Sequence, residues 1–175
     1  MDYSKAFKIP FKGLKIGRHD FKWEVGKEFF EPFEYTDIEE CRLAVNLTLE
    51  IQERLFNLDF NIVGEVSVYC DRCLGKLLLP LNSGYRYIIK LGHEFKEESE
   101  DVLIIPENEY RIDIYQLVFD YIVLAVPLKK VHPEDAEGNP GCEPGILQIL
   151  DKLSGNTMAD PRWEPLSKVK LDKNN

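Results

Sequence analysis

The chain has 175 residues, of which 44% are hydrophobic and 30% are charged, and its formal net charge is −9. This length and composition are typical of one globular domain with a core of its own, and no apolar run approaches the roughly 18 residues of a membrane-spanning helix. Because the N-terminus also has no apolar leader, we expect a cytoplasmic protein with no membrane-bound part.

The negative charge is concentrated in the middle of the sequence. Residues 31–128 carry nineteen Asp and Glu against eight Lys and Arg, whereas residues 1–30 carry seven Lys and Arg against four acids. An acidic body repels nucleic-acid phosphates, since affinity for them comes largely from Lys and Arg. It suits a basic partner such as a ribosomal protein, although acids that only keep a surface soluble give the same pattern.

The first 40 residues are predicted to form an arm and strands. The lysines of the arm recur with helical spacing, but Pro10 and Gly13 argue against a helix, and the alternation within KAFKIPFKGL favours an edge strand. The aromatic-rich stretch 19–33 predicts a strand pair or an extended segment.

An antiparallel β-meander is predicted over residues 41–91. Apolar and polar residues alternate over 41–49 and 56–68, as in strands with one buried face, and Gly64 marks a bend. Two further strands are expected on either side of the turn sequence NSG, at 77–81 and 85–91. This pattern places Cys41 in the core.

After the meander, the sequence predicts an acidic loop at 93–101, a short strand at 102–106 and one main helix at 113–126. Asp113 followed by Gln116 has the pattern of a capping box, and Pro127 ends the apolar helical stripe. We expect this helix to cover the sheet. A short helix is predicted around 145–153, followed by a tail at 154–175.

The stretch VYCDRCLGK contains Cys70 and Cys73 in a C-x-x-C spacing. Such a turn points two thiolates the same way, which is half of a tetrahedral zinc site. His132 and Cys142 lie in the turn-rich segment after the helix and are the candidates for the other two ligands. The sequence thus predicts a closed Cys3His zinc site that joins the hairpin to the later loop.

Two other interpretations of these cysteines stay open. In the first, the thiols are plain structural residues, and Asp71 and Arg72 are ordinary turn residues. In the second, Cys70 and Cys73 form a redox pair. A redox pair is expected at a helix N-terminus, where the dipole lowers the thiol pKa, whereas this motif lies in a β-meander. The sequence has no P-loop, GxGxxG, GxSxG or HExxH motif, so we expect no enzyme activity.

Four motifs follow one another in a recognisable order: VYCDRCL, LAVPLKKVH, GNPGC and DPRWEPL, within residues 40–166. Their combination resembles the YceD family, whose members are associated with the accumulation of large-subunit ribosomal RNA. The resemblance implies a small bacterial factor for 50S subunit formation and no catalytic mechanism. The positions that match the family pattern are Cys70, Arg72, Cys73, Leu74, Pro127, His132, Cys142, Asp160, Pro161 and Trp163.

The sequence therefore predicts one α+β domain over residues 1–175: an antiparallel β-meander or partly closed barrel, covered by one main helix, with a short C-terminal helical extension. The expected function is non-enzymatic support of 23S rRNA accumulation or 50S assembly, through a ribosomal protein or a pre-50S particle. A thiol redox protein and a purely structural interaction module are the alternatives. The basic N- and C-terminal segments are expected to contact rRNA, and the candidate partner-binding residues are Arg72, Trp163, Lys5, Lys8, Lys12 and Lys15.

Overall fold

The computed structural model describes residues 3–33, 37–134 and 136–154. The helices in these ranges are α1 (Tyr3–Ala6), α2 (Tyr115–Ala125) and α3 (Pro144–Ser154). The strands are β1 (Lys8–Ile9), β2 (Gly17–Val25), β3 (Glu40–Ile51), β4 (Leu55–Tyr69), β5 (Lys76–Gly92), β6 (Lys96–Ser99), β7 (Val102–Pro106) and β8 (Ile112–Asp113).

Six of the strands form one open sheet in the order β2-β3-β4-β5-β7-β6. Neighbours from β2 to β5 are antiparallel, β7 runs parallel to β5, and β6 closes the edge antiparallel to β7. The predicted α+β class is confirmed, and the sheet is open rather than closed into a barrel. The strands β1 and β8 form a separate two-stranded ladder.

Apolar and polar residues alternate along β3 and β4, which gives the sheet one buried face and one solvent-exposed face. In both strands every second side chain, such as Leu47 and Leu58, is buried against the core, and the residues between them face solvent. At Gly64, where the sequence predicts a bend, β4 pairs with both neighbours without a register shift, but glycine is required: its φ is +148°, and a Cβ there would lie 2.1 Å from the Arg42 carbonyl oxygen. Only glycine fits such a position without moving the neighbouring strand.

The prediction of two strands separated by an NSG turn is wrong. Asn82, Ser83 and Gly84 lie inside the single strand β5, where they pair with residues of β4. The chain reverses earlier, at residues 70–75, and the whole of β4 pairs with residues 76–90 of β5. The predicted loop at 93–101 also contains a strand, β6, whose four side chains are all exposed.

The N-terminal arm is part of the core rather than an edge strand of the main sheet. It consists of α1, β1 and a 3₁₀ turn at Phe11–Gly13, and it buries Phe7, Ile9 and Phe11. The stretch 19–33 gives the edge strand β2 and a 3₁₀ turn instead of a strand pair, because this turn buries Phe29 in the core.

The main helix begins later than predicted, and only one half of the capping box forms. The Asp113 carboxylate accepts a hydrogen bond from the Tyr115 amide at 3.1 Å and is ion-paired with Lys8 at 3.6 Å, whereas Gln116 donates to Asp120 instead of the helix start. The helix α2 buries Val118 and Ile122 against the sheet, as expected. The short helix α3 is confirmed, and none of its side chains is fully buried. In the described ranges no helix is long and apolar enough to cross a membrane.

Candidate metal centre

The first half of the site is the turn between β4 and β5. The Cys70 amide donates to the Gly75 carbonyl oxygen, and the Leu74 amide donates to the Cys70 carbonyl oxygen, both at 2.9 Å. The chain changes direction at Leu74, whose φ of 56° lies in the left-handed region. This tight turn brings the Cys73 side chain next to that of Cys70.

The second half is the segment that follows α2. It folds back on itself, since the Gly141 amide donates to the Pro133 carbonyl oxygen at 3.1 Å, and this closure brings Cys142 next to His132. The approach at Gly141 is close enough to exclude a side chain: a Cβ there would lie 2.6 Å from the Pro133 oxygen. The sequence GNPGC therefore has a steric reason for its second glycine.

The two halves are joined by Asp71 and Lys130. The Asp71 amide donates to the Lys130 carbonyl oxygen at 2.6 Å, and the Lys130 amide donates to the Asp71 carboxylate at 2.6 Å. The Lys130 ammonium also pairs with Asp37, which precedes β3, at 2.6 Å. These contacts hold the later loop against the hairpin turn.

The four predicted ligands meet at this junction. The Sγ atoms of Cys70, Cys73 and Cys142 and a ring nitrogen of His132 all lie within 4.8 Å of one another. The Cys70–Cys142 sulfur distance is 3.7 Å, and the His132 Nδ1 lies 3.4 Å from the Cys73 sulfur and 3.8 Å from that of Cys142. Zn–S bonds of about 2.3 Å and a Zn–N bond of about 2.0–2.1 Å at tetrahedral angles require edges of about 3.5–3.8 Å. The three given distances are close to these edges, and the remaining three are at most 4.8 Å, which a bound ion would have to shorten.

The surroundings of the site favour the thiolate form of two of the three cysteines. Burial raises the pKa of the Cys70 thiol, but backbone N–H groups of Cys73 and Arg72 that point at its sulfur outweigh burial and lower the pKa. The amides of Gly75 and Glu143 lower the pKa of Cys73 in the same way. Only the pKa of Cys142 is raised among the three, because of its burial. A thiolate is the form that binds a metal.

His132 is oriented by a contact outside the site. Its Nε2 lies 3.0 Å from the Lys76 carbonyl oxygen and donates to it, which raises the pKa of the imidazole and directs Nδ1 at the sulfurs. Metal-binding histidines are commonly held by a hydrogen bond of this kind. A proton on Nε2 leaves the Nδ1 lone pair free to bind a metal.

This geometry does not favour a redox pair. Cys70 is 0% exposed and Cys73 is 8% exposed, whereas thiol exchange requires a sulfur that a second thiol can reach. The C-x-x-C motif also lies in a hairpin turn and not at the start of a helix. Cys41 is remote from the cluster and half-buried, with its sulfur 3.6 Å from the Val25 carbonyl oxygen.

Among the other predicted site residues that the structure describes, Arg72 lies in the hairpin turn and the four lysines lie on the N-terminal arm. Arg72 is half-buried in the hairpin turn, beside the exposed Leu74. On the arm, Lys8 pairs with Asp113, and the Lys12 ammonium donates to the Asn108 carbonyl oxygen at 3.0 Å. Lys5 and Lys15 belong to the same arm, and Trp163, with Asp160 and Pro161, lies outside the described residues.

Sequence reasoning did not find the residues that position the ligands. Asp71 was interpreted only as a turn residue, and Lys130 was not singled out. The glycines at 75 and 141 are the signals that could have indicated the close approach, because a Cβ at Gly75 would meet the Cys73 sulfur at 3.4 Å and the His132 ring at 3.6 Å.

Comparison with known proteins covers the region that contains the cluster. The family model described as large ribosomal RNA subunit accumulation protein YceD matches residues 58–170, which include all four cluster residues. The chain belongs to the YceD family. A relative, the uncharacterized protein YlbN of Bacillus subtilis (strain 168), is 25% identical over 121 residues, which is 69% of each chain. No solved structure matches the chain. The lysines at positions 5–15 lie outside the YceD match.

Proposed function

We propose that the protein is a non-enzymatic factor for 23S rRNA accumulation and 50S assembly, and that a structural zinc ion fixes the position of its segment 131–143. The zinc proposal is supported by the closed set of three cysteine sulfurs and one imidazole, whose spacing is close to tetrahedral. Catalytic zinc sites keep one position for water or substrate, whereas four protein ligands leave none. The donor set therefore supports a structural role.

The zinc would hold the segment 131–143 to the β4–β5 turn. Helix α3 begins two residues after Cys142 and has no fully buried side chain, so its position depends on this attachment. The metal thus determines which surface the C-terminal half of the domain presents. A structural zinc site of this kind supports the proposal of a binding module.

The ribosomal role is supported by the family, whose description names large-subunit rRNA accumulation. We infer that the direct contact is with a basic ribosomal protein or a pre-50S particle, since the acidic body disfavours bare phosphate. An rRNA contact through the basic ends is the weaker part of the proposal. Lys8 and Lys12 are already engaged within the chain, and the arm lies outside the family match.

The zinc is tested by the metal content of protein purified without a tag or chelator, with thiols counted before and after unfolding. We expect one zinc per chain and protected thiols until denaturation. The matched variants are Cys142→Ser, which should lose the metal, and Cys41→Ser, which should keep it. Metal-free protein with freely reacting thiols would rule out the zinc centre.

The ribosomal role is tested in a bacterial strain that lacks the gene. We expect a lower ratio of 50S to 30S subunits and less mature 23S rRNA, both restored by the wild type and by Cys41→Ser but not by Cys142→Ser. The wild-type protein should sediment with 50S precursors. Normal subunit profiles in the deletion strain, with no association in gradients, would exclude this function whatever the metal content.

A further inference from the structure

A groove opens between helix α2 and the core face of the sheet, beside the edge formed by β7 and β6. Its volume is about 220 Å³. Apolar side chains form its floor and carboxylates stand around it, and no Lys or Arg lines it. The floor includes Tyr87, Leu103 and Leu117, and the carboxylates are Glu97, Asp113 and Asp120.

The negative charge of this groove is only partly neutralised within the chain. Residues 93–113 carry eight Asp and Glu against two Lys and Arg. Lys8 pairs with Asp113, but no side-chain partner of Glu97 occurs in the described part of the chain. Burial and the carboxylates of Glu97 and Asp101 raise the pKa of the Tyr87 phenol, and no cation offsets them.

Within the residues that the structure describes, no strand pairs with the outer edge of the sheet next to the groove. The strand β6 pairs with β7 on one side and is the last strand of the sheet on the other. Glu97 is in register with Leu103, so both face the groove. The neighbouring Glu98 faces away and pairs with Lys90. A strand added to β6 would therefore place every second side chain over the groove.

We propose that the groove and the free edge of β6 together bind an extended Lys- or Arg-rich segment of a protein partner. The segment adds a strand to β6 and inserts one basic side chain into the groove. The aliphatic stem packs on Leu103 and Leu117, and the cationic head meets Glu97 and Asp120. This inference rests on the proposed function and identifies the contact by which the protein would hold a basic ribosomal protein.

Charge and size favour this occupant over others. The groove has the size of one long side chain, its apolar floor suits a methylene stem, and the ring of Tyr87 can stack against a guanidinium. A nucleic acid would meet repulsion at the same carboxylates. The alternative is that β6, a short and charged edge strand, only prevents aggregation between sheets. In that case the protein would bind no peptide at this edge.

The test uses the full-length protein and two fluorescently labelled eight-residue peptides of the same composition. In one peptide Arg alternates with Thr and Val, and in the other the four Arg are consecutive. Fluorescence anisotropy at low and moderate salt measures both affinities. We expect the alternating peptide to bind at least fivefold more tightly, and hydrogen exchange at the β6 amides to slow when it binds.

Two matched double variants distinguish the contribution of the groove to peptide binding from that of the overall negative charge. Glu97→Gln with Asp120→Asn should weaken binding of the alternating peptide about fivefold or more. The control, Glu31→Gln with Glu53→Gln, removes the same charge from exposed positions outside the groove and should change it less than twofold. Equal effects of the two pairs, equal binding of the two peptides, or no binding at all would overturn the inference.

The same variants distinguish failure of this inference from failure of the proposed function. If Glu97→Gln with Asp120→Asn still sediments with 50S precursors as the wild type does, the groove is not the contact and the ribosomal role stands. If the wild type does not associate with precursors but binds the alternating peptide through the groove, the ribosomal role fails and the basic-segment site remains.

Discussion

Asp71 and Lys130 exchange two hydrogen bonds across 59 residues of sequence, the same separation as between Cys73 and His132. One bond joins the Asp71 amide to the Lys130 carbonyl oxygen and the other joins the Lys130 amide to the Asp71 carboxylate, so they connect the hairpin turn to the segment after α2 and require no metal. The halves of the ligand set are therefore held together before zinc binds. Such preorganisation raises metal affinity, because less chain has to be ordered when the ion arrives.

This relationship predicts that Asp71→Ala weakens zinc binding without removing a ligand. The substitution leaves the Lys130 amide without its carboxylate partner, and we expect about tenfold lower affinity, as is common for residues that support metal ligands. Asp71→Asn keeps a side-chain oxygen as acceptor and should lose less. Competition with a chromophoric chelator measures both affinities.

The control for this prediction is Asp37→Ala. Asp37 is exposed and contacts Lys130 through the ammonium alone, so its loss should change zinc affinity less than twofold. If Asp37→Ala and Asp71→Ala have the same effect, the charge of Lys130 matters and the bond from its amide to the Asp71 carboxylate does not. If neither has an effect, the Asp71 side chain does not help to hold the halves of the site together.

Removal of the metal should loosen one part of the domain and spare the rest. Chelation leaves the sheet core intact, because fully buried residues such as Leu47 and Leu58 lie on β3 and β4 and contribute no ligand. The segment 131–143 and α3 lose their attachment. Hydrogen-exchange mass spectrometry with and without chelator should show faster exchange in 131–154 and unchanged exchange in β3 and β4. Simultaneous loss of protection in both regions would mean that the metal supports the whole fold.

The sequence was sufficient to predict the features that depend on strong local patterns. The strands β3 and β4 were predicted because each has one buried and one wet face, and the ligand set was predicted because Cys and His are few and their positions distinct. The continuity of β5 was missed because the turn preference of NSG is local, whereas pairing with the long β4 is a tertiary effect. The strand β6 has four exposed side chains and no periodicity, so only its pairing with β7 specifies it.

The close approach at Gly141 predicts that adding a single methyl group at this position lowers the affinity for zinc. In Gly141→Ala the new Cβ would lie 2.6 Å from the Pro133 oxygen and 3.3 Å from the His132 Cβ, so the loop must shift and His132 with it. We expect a loss of zinc affinity of at least tenfold. The control is Gly145→Ala in the first turn of α3, where a Cβ meets nothing within 4 Å and the helix should gain about 0.5–1 kcal/mol. Equal zinc affinity in the two variants would contradict the steric argument.

Cys41 is predicted to stay unreactive for a reason that differs from that of the cluster cysteines. Burial, and secondarily the Glu28 carboxylate, raise the pKa of its thiol from 9.0 to about 12. Because the thiolate is the nucleophile, iodoacetamide at pH 8 should modify Cys41 on the order of a thousandfold more slowly than a free thiol. The rate should rise with pH up to about 12, as followed by mass spectrometry of the Cys41 peptide.

The sign of the linked stability change follows from the same raised pKa. The folded thiol keeps its proton between pH 9 and about 12 while the unfolded thiol loses it, so this contribution is fully present below pH 9 and is lost as the pH rises to 12. Glu28→Gln removes the secondary cause and should speed alkylation several-fold at pH 8, whereas burial keeps the reaction slow. A wild-type labelling rate that levels off near pH 9 would show that the Cys41 pKa is not raised.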